Sequence, residues 1–80
     1  RSATEKQKME KLLELYGDYL SDNGQTEEAG LAYSRAGNDR KALEAYQNSS
    51  DWRMAFAVAR KLQLNEADMK QMASEMMDKL

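Results

Sequence analysis

The chain has 80 residues, a formal charge of −2, 41% hydrophobic and 32% charged residues, no proline and four glycines. This length suits one small domain that buries roughly 60% of its unfolded surface, and the composition is that of a helical chain rather than a disordered one. Cysteine and histidine are both absent, which removes disulfides, the usual zinc sites, thiolate nucleophiles and the commonest general base together.

The first predicted helix runs from about Ala3 to Leu20, where Met9, Leu12, Leu13, Tyr16 and Leu20 form one apolar stripe. A beat of thirteen residues then sets in: Ala29-x-x-Ala32-Tyr33, Ala42-x-x-Ala45-Tyr46 and Ala55-x-x-Val58-Ala59. Tyr16-x-x-Tyr19-Leu20 holds the same register one step earlier, and Asn23-Gly24, Ala36-Gly37 and Ser49-Ser50 mark turns at the same interval. The spacing i, i+3, i+4 within each unit gives a short helix with one apolar face. Helices are expected near Thr26 to Ala36, Asp39 to Gln47 and Asp51 to Lys61, with Asp39 and Ser49 to Asp51 as N-caps. A fifth begins after Asn65, its stripe being Met69, Met72, Ala73, Met76, Met77 and Leu80, and the beat slips there by one residue.

Helices of about ten residues are marginal alone, so each must lay its stripe on a neighbour. The recurring alanines let backbones approach closely, and the tyrosines fill the wider gaps. The expected fold is all-α: antiparallel helical hairpins stacked as a short TPR-like α-solenoid of about five helices, with residues 1–80 forming one helical-repeat fragment of a longer array. Tyr16, Ala29, Tyr33, Ala42, Tyr46, Trp52 and Ala55 are the expected inter-helix packing residues. Trp52 is placed at a helix start, against Leu43 and Tyr46. Gly30 lies inside a helix, which close approach of a neighbouring helix would explain.

No residue set resembles an active site. Glu27 and Glu28 in a first turn favour the helix dipole, Asp18 and Asp22 lack the setting of a calcium loop, and the glycines have no phosphate-cradling spacing. No enzyme activity, cofactor or metal is therefore expected. No stretch approaches the roughly 20 apolar residues of a membrane span and no signal-like segment opens the chain, so an intracellular, membrane-free protein is expected. Charge is segregated, with net −3 over residues 1–34, +3 over 35–61 and −2 over 62–80. Arg35, Arg40, Lys41, Arg53, Arg60 and Lys61 are the candidate contacts for RNA or an acidic partner, interrupted by Glu44 and Asp51. The methionines of the last helix suit either a pliant binding face or the covered end of the stack.

The stretch "YGDYLSDNGQTEEAGLAYSRAGNDRKALEAYQNSSDWRMAFAVARKL" resembles the helical-repeat region of the largest Elongator subunit, the IKAP family. The resemblance rests on Tyr16-Gly17 with Tyr19-Leu20, Glu28-Ala29-Gly30, Ala36-Gly37, Lys41-Ala42-Leu43, Ala45-Tyr46 and Asp51-Trp52-Arg53, and covers roughly residues 15–64. It implies a cytoplasmic scaffold, with the nucleus as a second location, that dimerises and supports wobble-uridine modification of transfer RNA by another subunit. The expected partners are other protein subunits, with self-association and transfer RNA as further candidates. Solenoids of coatomer and intraflagellar-transport complexes share the alanine–glycine turns, and a direct RNA-binding module is the other alternative.

Overall fold

The computed structural model describes residues 3–79. Its helices are α1 (Ala3–Asp22), α2 (Thr26–Arg35), α3 (Asp39–Asn48), α4 (Trp52–Lys61) and α5 (Glu66–Lys79). No strand occurs among the described residues. The ten-residue helices α2, α3 and α4 begin at 26, 39 and 52, which is the thirteen-residue interval of the sequence.

The interval originates in the turns. Gly24, Gly37, Ser50 and Gln63 have φ of 81°, 80°, 61° and 59°, the left-handed conformation that lets a chain leave a helix within one residue. The next amide then reaches back five residues: Gln25 to Leu20 at 2.9 Å, Asn38 to Tyr33 at 2.9 Å, Asp51 to Tyr46 at 3.0 Å and Leu64 to Ala59 at 3.2 Å. With the shorter bond from each left-handed residue to the carbonyl three before it, each turn is a Schellman motif that satisfies the last carbonyls of its helix.

The residue closing one helix also opens the next. Asn38 accepts from the Lys41 amide at 3.1 Å and Asp51 from the Met54 amide at 3.2 Å. The cap of α3 is therefore Asn38 and not Asp39, which is already the first helical residue. The register slip falls at the fourth turn: Leu64 packs against the core, so capping passes to Asn65, which accepts from the Asp68 amide at 2.8 Å.

Each helix packs on the next in sequence. A Cβ on Gly17 would come within 2.7 Å of the Tyr33 ring, and one on Gly30 within 2.8 Å of the Tyr46 ring. Tyr33 and Tyr46 therefore each pack directly on a glycine of the preceding helix. Ala29, Ala42, Ala55 and Ala59 are fully buried around these contacts, with Leu20, Val58 and Met72 extending the core. The product is a TPR-like α-solenoid of 43 × 28 × 14 Å. Its radius of gyration of 13.5 Å exceeds the roughly 12 Å of a compact globule of this length.

The stripe expected on α1 needs correction. Tyr16 is 55% exposed, and Met9 and Leu12 are exposed as well, whereas Leu13 is half-buried and Gly17 and Leu20 are buried. The beat aligns Tyr16 with Ala29, Ala42 and Ala55, the positions that face the preceding helix. Among the described residues nothing precedes α1, so Tyr16 and Tyr19 stack on each other, ring centroids 6.3 Å apart, on an open face. The stripe facing α2 runs instead through Leu13, Gly17 and Leu20. On α5, Met72 is buried, Met69, Ala73 and Met76 are half-buried and Met77 is exposed, while Leu80 lies outside the described residues.

Two alanine substitutions separate backbone strain from crowding. Gly24→Ala adds a Cβ in open space at positive φ, so it is expected to cost about 1 kcal/mol of strain alone. Gly30→Ala gains about 1 kcal/mol of helix propensity but drives a methyl into the Tyr46 ring, and a net loss of about 1–2 kcal/mol is expected. Urea unfolding of both variants measures the two terms.

Candidate protein-interaction surface

Helices α1 and α3 lie on one side of the slab and α2 and α4 on the other, and the two sides treat their acidic residues differently. On the α1–α3 side, Asp18 accepts the Tyr33 hydroxyl of α2 and the Lys41 ammonium of α3 at 3.3 Å. Lys41 also pairs with Glu14 at 3.5 Å and lies 5.4 Å from the centre of the Tyr33 ring. Glu14 accepts from Asn38 Nδ2 at 2.8 Å. Three helices are thus tied through one polar cluster. The Tyr33 hydroxyl, and then Lys41, hold the Asp18 carboxyl below its ordinary range, while its partial burial opposes them. Burial, followed by the Asp18 carboxylate, pushes the Tyr33 phenol far up. The hydrogen bond to Asp18 raises the Lys41 ammonium.

On the α2–α4 side, Glu27 at the start of α2 lies beside Asp51, the N-cap of α4. Asp51 first, then desolvation and the neighbouring Glu28, disfavour the charged form and push the Glu27 carboxyl up. Beside them a groove of about 340 Å³ is lined by Glu27, Glu28, Leu31, Tyr46 and Met54. Leu31 is 47% and Met54 38% exposed. The Tyr46 phenol is raised by burial and then by Asp51 and Glu27.

The structure places the six basic candidates in different settings. Lys41 is held by Asp18 and Glu14, and Lys61 pairs with Asp39 at 3.6 Å. Arg35 lines a groove between α1 and α2 with Tyr16 and Leu31. Arg40 lines a cleft of about 530 Å³ between the first half of α1 and the α2–α3 turn. Arg53 and Arg60 are exposed on α4. Of the packing candidates, Ala29, Tyr33, Ala42, Tyr46 and Ala55 lie in the core, and Tyr16 does not. Trp52 is half-buried against the core at the start of α4, with the Lys79 ammonium of α5 5.7 Å from its ring centre.

Sequence reasoning did not find the Asp18 cluster or the Glu27–Asp51 pair, because both join residues from different helices. Leu31 and Met54 left one signal, as apolar residues outside the repeated stripe. Among the described residues no three metal-ligating side chains come together, and no helix is long and apolar enough to cross a membrane.

Consecutively packed helices, reversing direction every thirteen residues and offering grooves instead of an enclosed pocket, define the class: a helical-repeat protein of the TPR-like kind. The ELP1 TPR domain family matches residues 2–80, and the chain belongs to that family. It is 35% identical over 65 residues to Elongator complex protein 1 of Mus musculus, covering 81% of this chain and 5% of that protein. It is 40% identical over 48 residues to the putative elongator complex protein 1 of Xenopus laevis, covering 60% of this chain and 4% of that protein. The chain thus spans about 5% of the length of the curated relatives it matches. No solved structure matches it significantly.

The polar cluster carries a pH dependence. Asp18 has a lowered carboxyl, so its contribution is complete above the ordinary aspartate range and is lost as pH falls through the lowered value. Tyr33 has a raised phenol, so its contribution is complete below about pH 10, the ordinary tyrosine value, and is lost at higher pH. Tyr33→Phe is expected to cost about 1 kcal/mol at neutral pH, since solvent screens the cluster. It should also flatten the acid limb of stability, as read from thermal unfolding at pH 2 to 7.

Proposed function

We propose that the chain is a non-enzymatic scaffold segment of an Elongator-type complex, presenting helical layers to other protein subunits and supporting wobble-uridine modification of transfer RNA by a catalytic partner. The observation that carries this reading is the family match over nearly the whole chain, joined to relatives whose name is Elongator complex protein 1. The physical character of the chain agrees with it. Its buried side chains are apolar or tyrosine and serve packing, and its polar clusters join helices. A repeat array works by extended surface, because each unit contacts only its neighbours and leaves its outer faces open. On this reading the protein acts in the cytoplasm and its partners are proteins.

Direct RNA binding is the weaker reading, since Lys41 and Lys61 spend their charge on Asp18, Glu14 and Asp39. Two measurements separate the readings. Tagged protein carrying this segment, purified from cells, is expected to bring down an acetyltransferase-like subunit; recovery of coat or transport subunits in its place overturns the Elongator assignment. Transfer-RNA binding by the chain should be weak even at low salt. Tight binding that falls steeply with rising salt would favour the RNA module instead.

A further inference from the structure

The rim of the α2–α4 groove carries Glu27 and Glu28, and among the described residues neither is paired with a lysine or arginine. Glu14, Asp18 and Asp39 are each held by a lysine of this chain, at 3.3–3.6 Å. Glu27 instead lies beside another acid, Asp51, with Glu28 next to it. Among the described residues no basic side chain lines the groove, whose floor consists of Leu31, Tyr46 and Met54, while Arg35 lines the adjoining groove with Glu28 and Leu31. Leu31 and Met54 expose apolar surface there, which gains free energy only when something apolar covers it.

We propose that this groove docks a basic amphipathic peptide segment of another protein, its aliphatic side chains seated on Leu31 and Met54 and its Lys or Arg groups on Glu27, Glu28 and Asp51. The proposal rests on the reading of the chain as a protein-interaction segment and adds the chemistry of one partner. A lysine or arginine arriving at Glu27 and Asp51 sets an opposite charge between two neighbouring acids and bridges α2 to α4. An acidic or purely apolar segment leaves the two acids unrelieved. The selectivity is therefore electrostatic, with the apolar floor fixing position.

The probe is a fluorescent 14-residue Leu–Lys amphipathic helix, with a Leu–Glu helix of the same pattern as control, titrated against the full 80-residue chain by anisotropy. The Leu–Lys peptide is expected to bind and to shift the amide resonances of residues 27–31, 46 and 51–54. Glu27→Gln with Glu28→Gln, and separately Leu31→Lys, should each weaken it about tenfold, with helicity by circular dichroism unchanged. Glu75→Gln with Asp78→Asn on α5 removes the same charge elsewhere and should leave binding intact. Equal binding by the groove variants, equal binding of the Leu–Glu peptide, or resonance shifts confined to other helices would overturn the proposal. So would a concentration-dependent dimer abolished by Leu31→Lys, which would make a second copy the occupant. Peptide binding in the groove without recovery of Elongator subunits from cells would keep the site and remove the complex assignment, so the two ideas fail separately.

Discussion

Everything in this fold depends on reversing a helix within three or four residues, and one backbone conformation at four positions makes that possible. At Gly24, Gly37, Ser50 and Gln63 the chain enters the left-handed region, and the following amide closes the spent helix onto its own carbonyl. The Schellman turn consumes the orphan carbonyls of one helix, and at Asn38 and Asp51 its last residue also caps the next. A unit of ten helical residues and three turn residues results, and two units make a hairpin of 26, shorter than the roughly 34 of a tetratricopeptide repeat.

Short helices give little area for holding neighbours together, so contact must be close. The chain achieves this by pairing the largest recurring side chain with the smallest residue: Tyr33 over Gly17 and Tyr46 over Gly30. The ring needs a flat backbone surface, and glycine provides one at a cost in helix propensity that the covered ring area offsets. Tyr33 then serves a second purpose. Its hydroxyl emerges at the edge of the core and meets Asp18, so the residue that packs α2 on α1 also anchors the cluster reaching α3 through Lys41. Packing and polar satisfaction converge on one side chain.

Lys41 pairs with Asp18 and Glu14 on one side, whereas Glu27 on the other side lies beside Asp51. On the proposed reading as a scaffold segment, that asymmetry gives the two sides different uses. The α1–α3 side spends its charge on holding the stack together, and the α2–α4 side has acidic groups and apolar surface free for a partner. A solenoid piece whose chemistry was wholly internal would have nothing with which to choose among subunits. The mixed groove between α2 and α4 supplies such a means of choice.

The thirteen-residue beat in the sequence determined the helices, their number, the turn positions and the buried alanines, because a local pattern repeated in register has one compact solution: consecutive helices facing each other. It also located the slip before α5 and implied close approach at Gly30. It misplaced Tyr16, since register alone does not reveal whether a helix lies on the far side of that face, and it assigned the α3 cap to Asp39 because it did not anticipate that the residue ending one turn is already the next cap. The Asp18–Tyr33–Lys41 cluster and the Glu27–Asp51 pair were decided only by tertiary structure. They join residues 15, 23 and 24 positions apart, and which acid meets a lysine and which meets another acid depends on how the helices are rotated about their axes, a quantity set by packing across the whole stack.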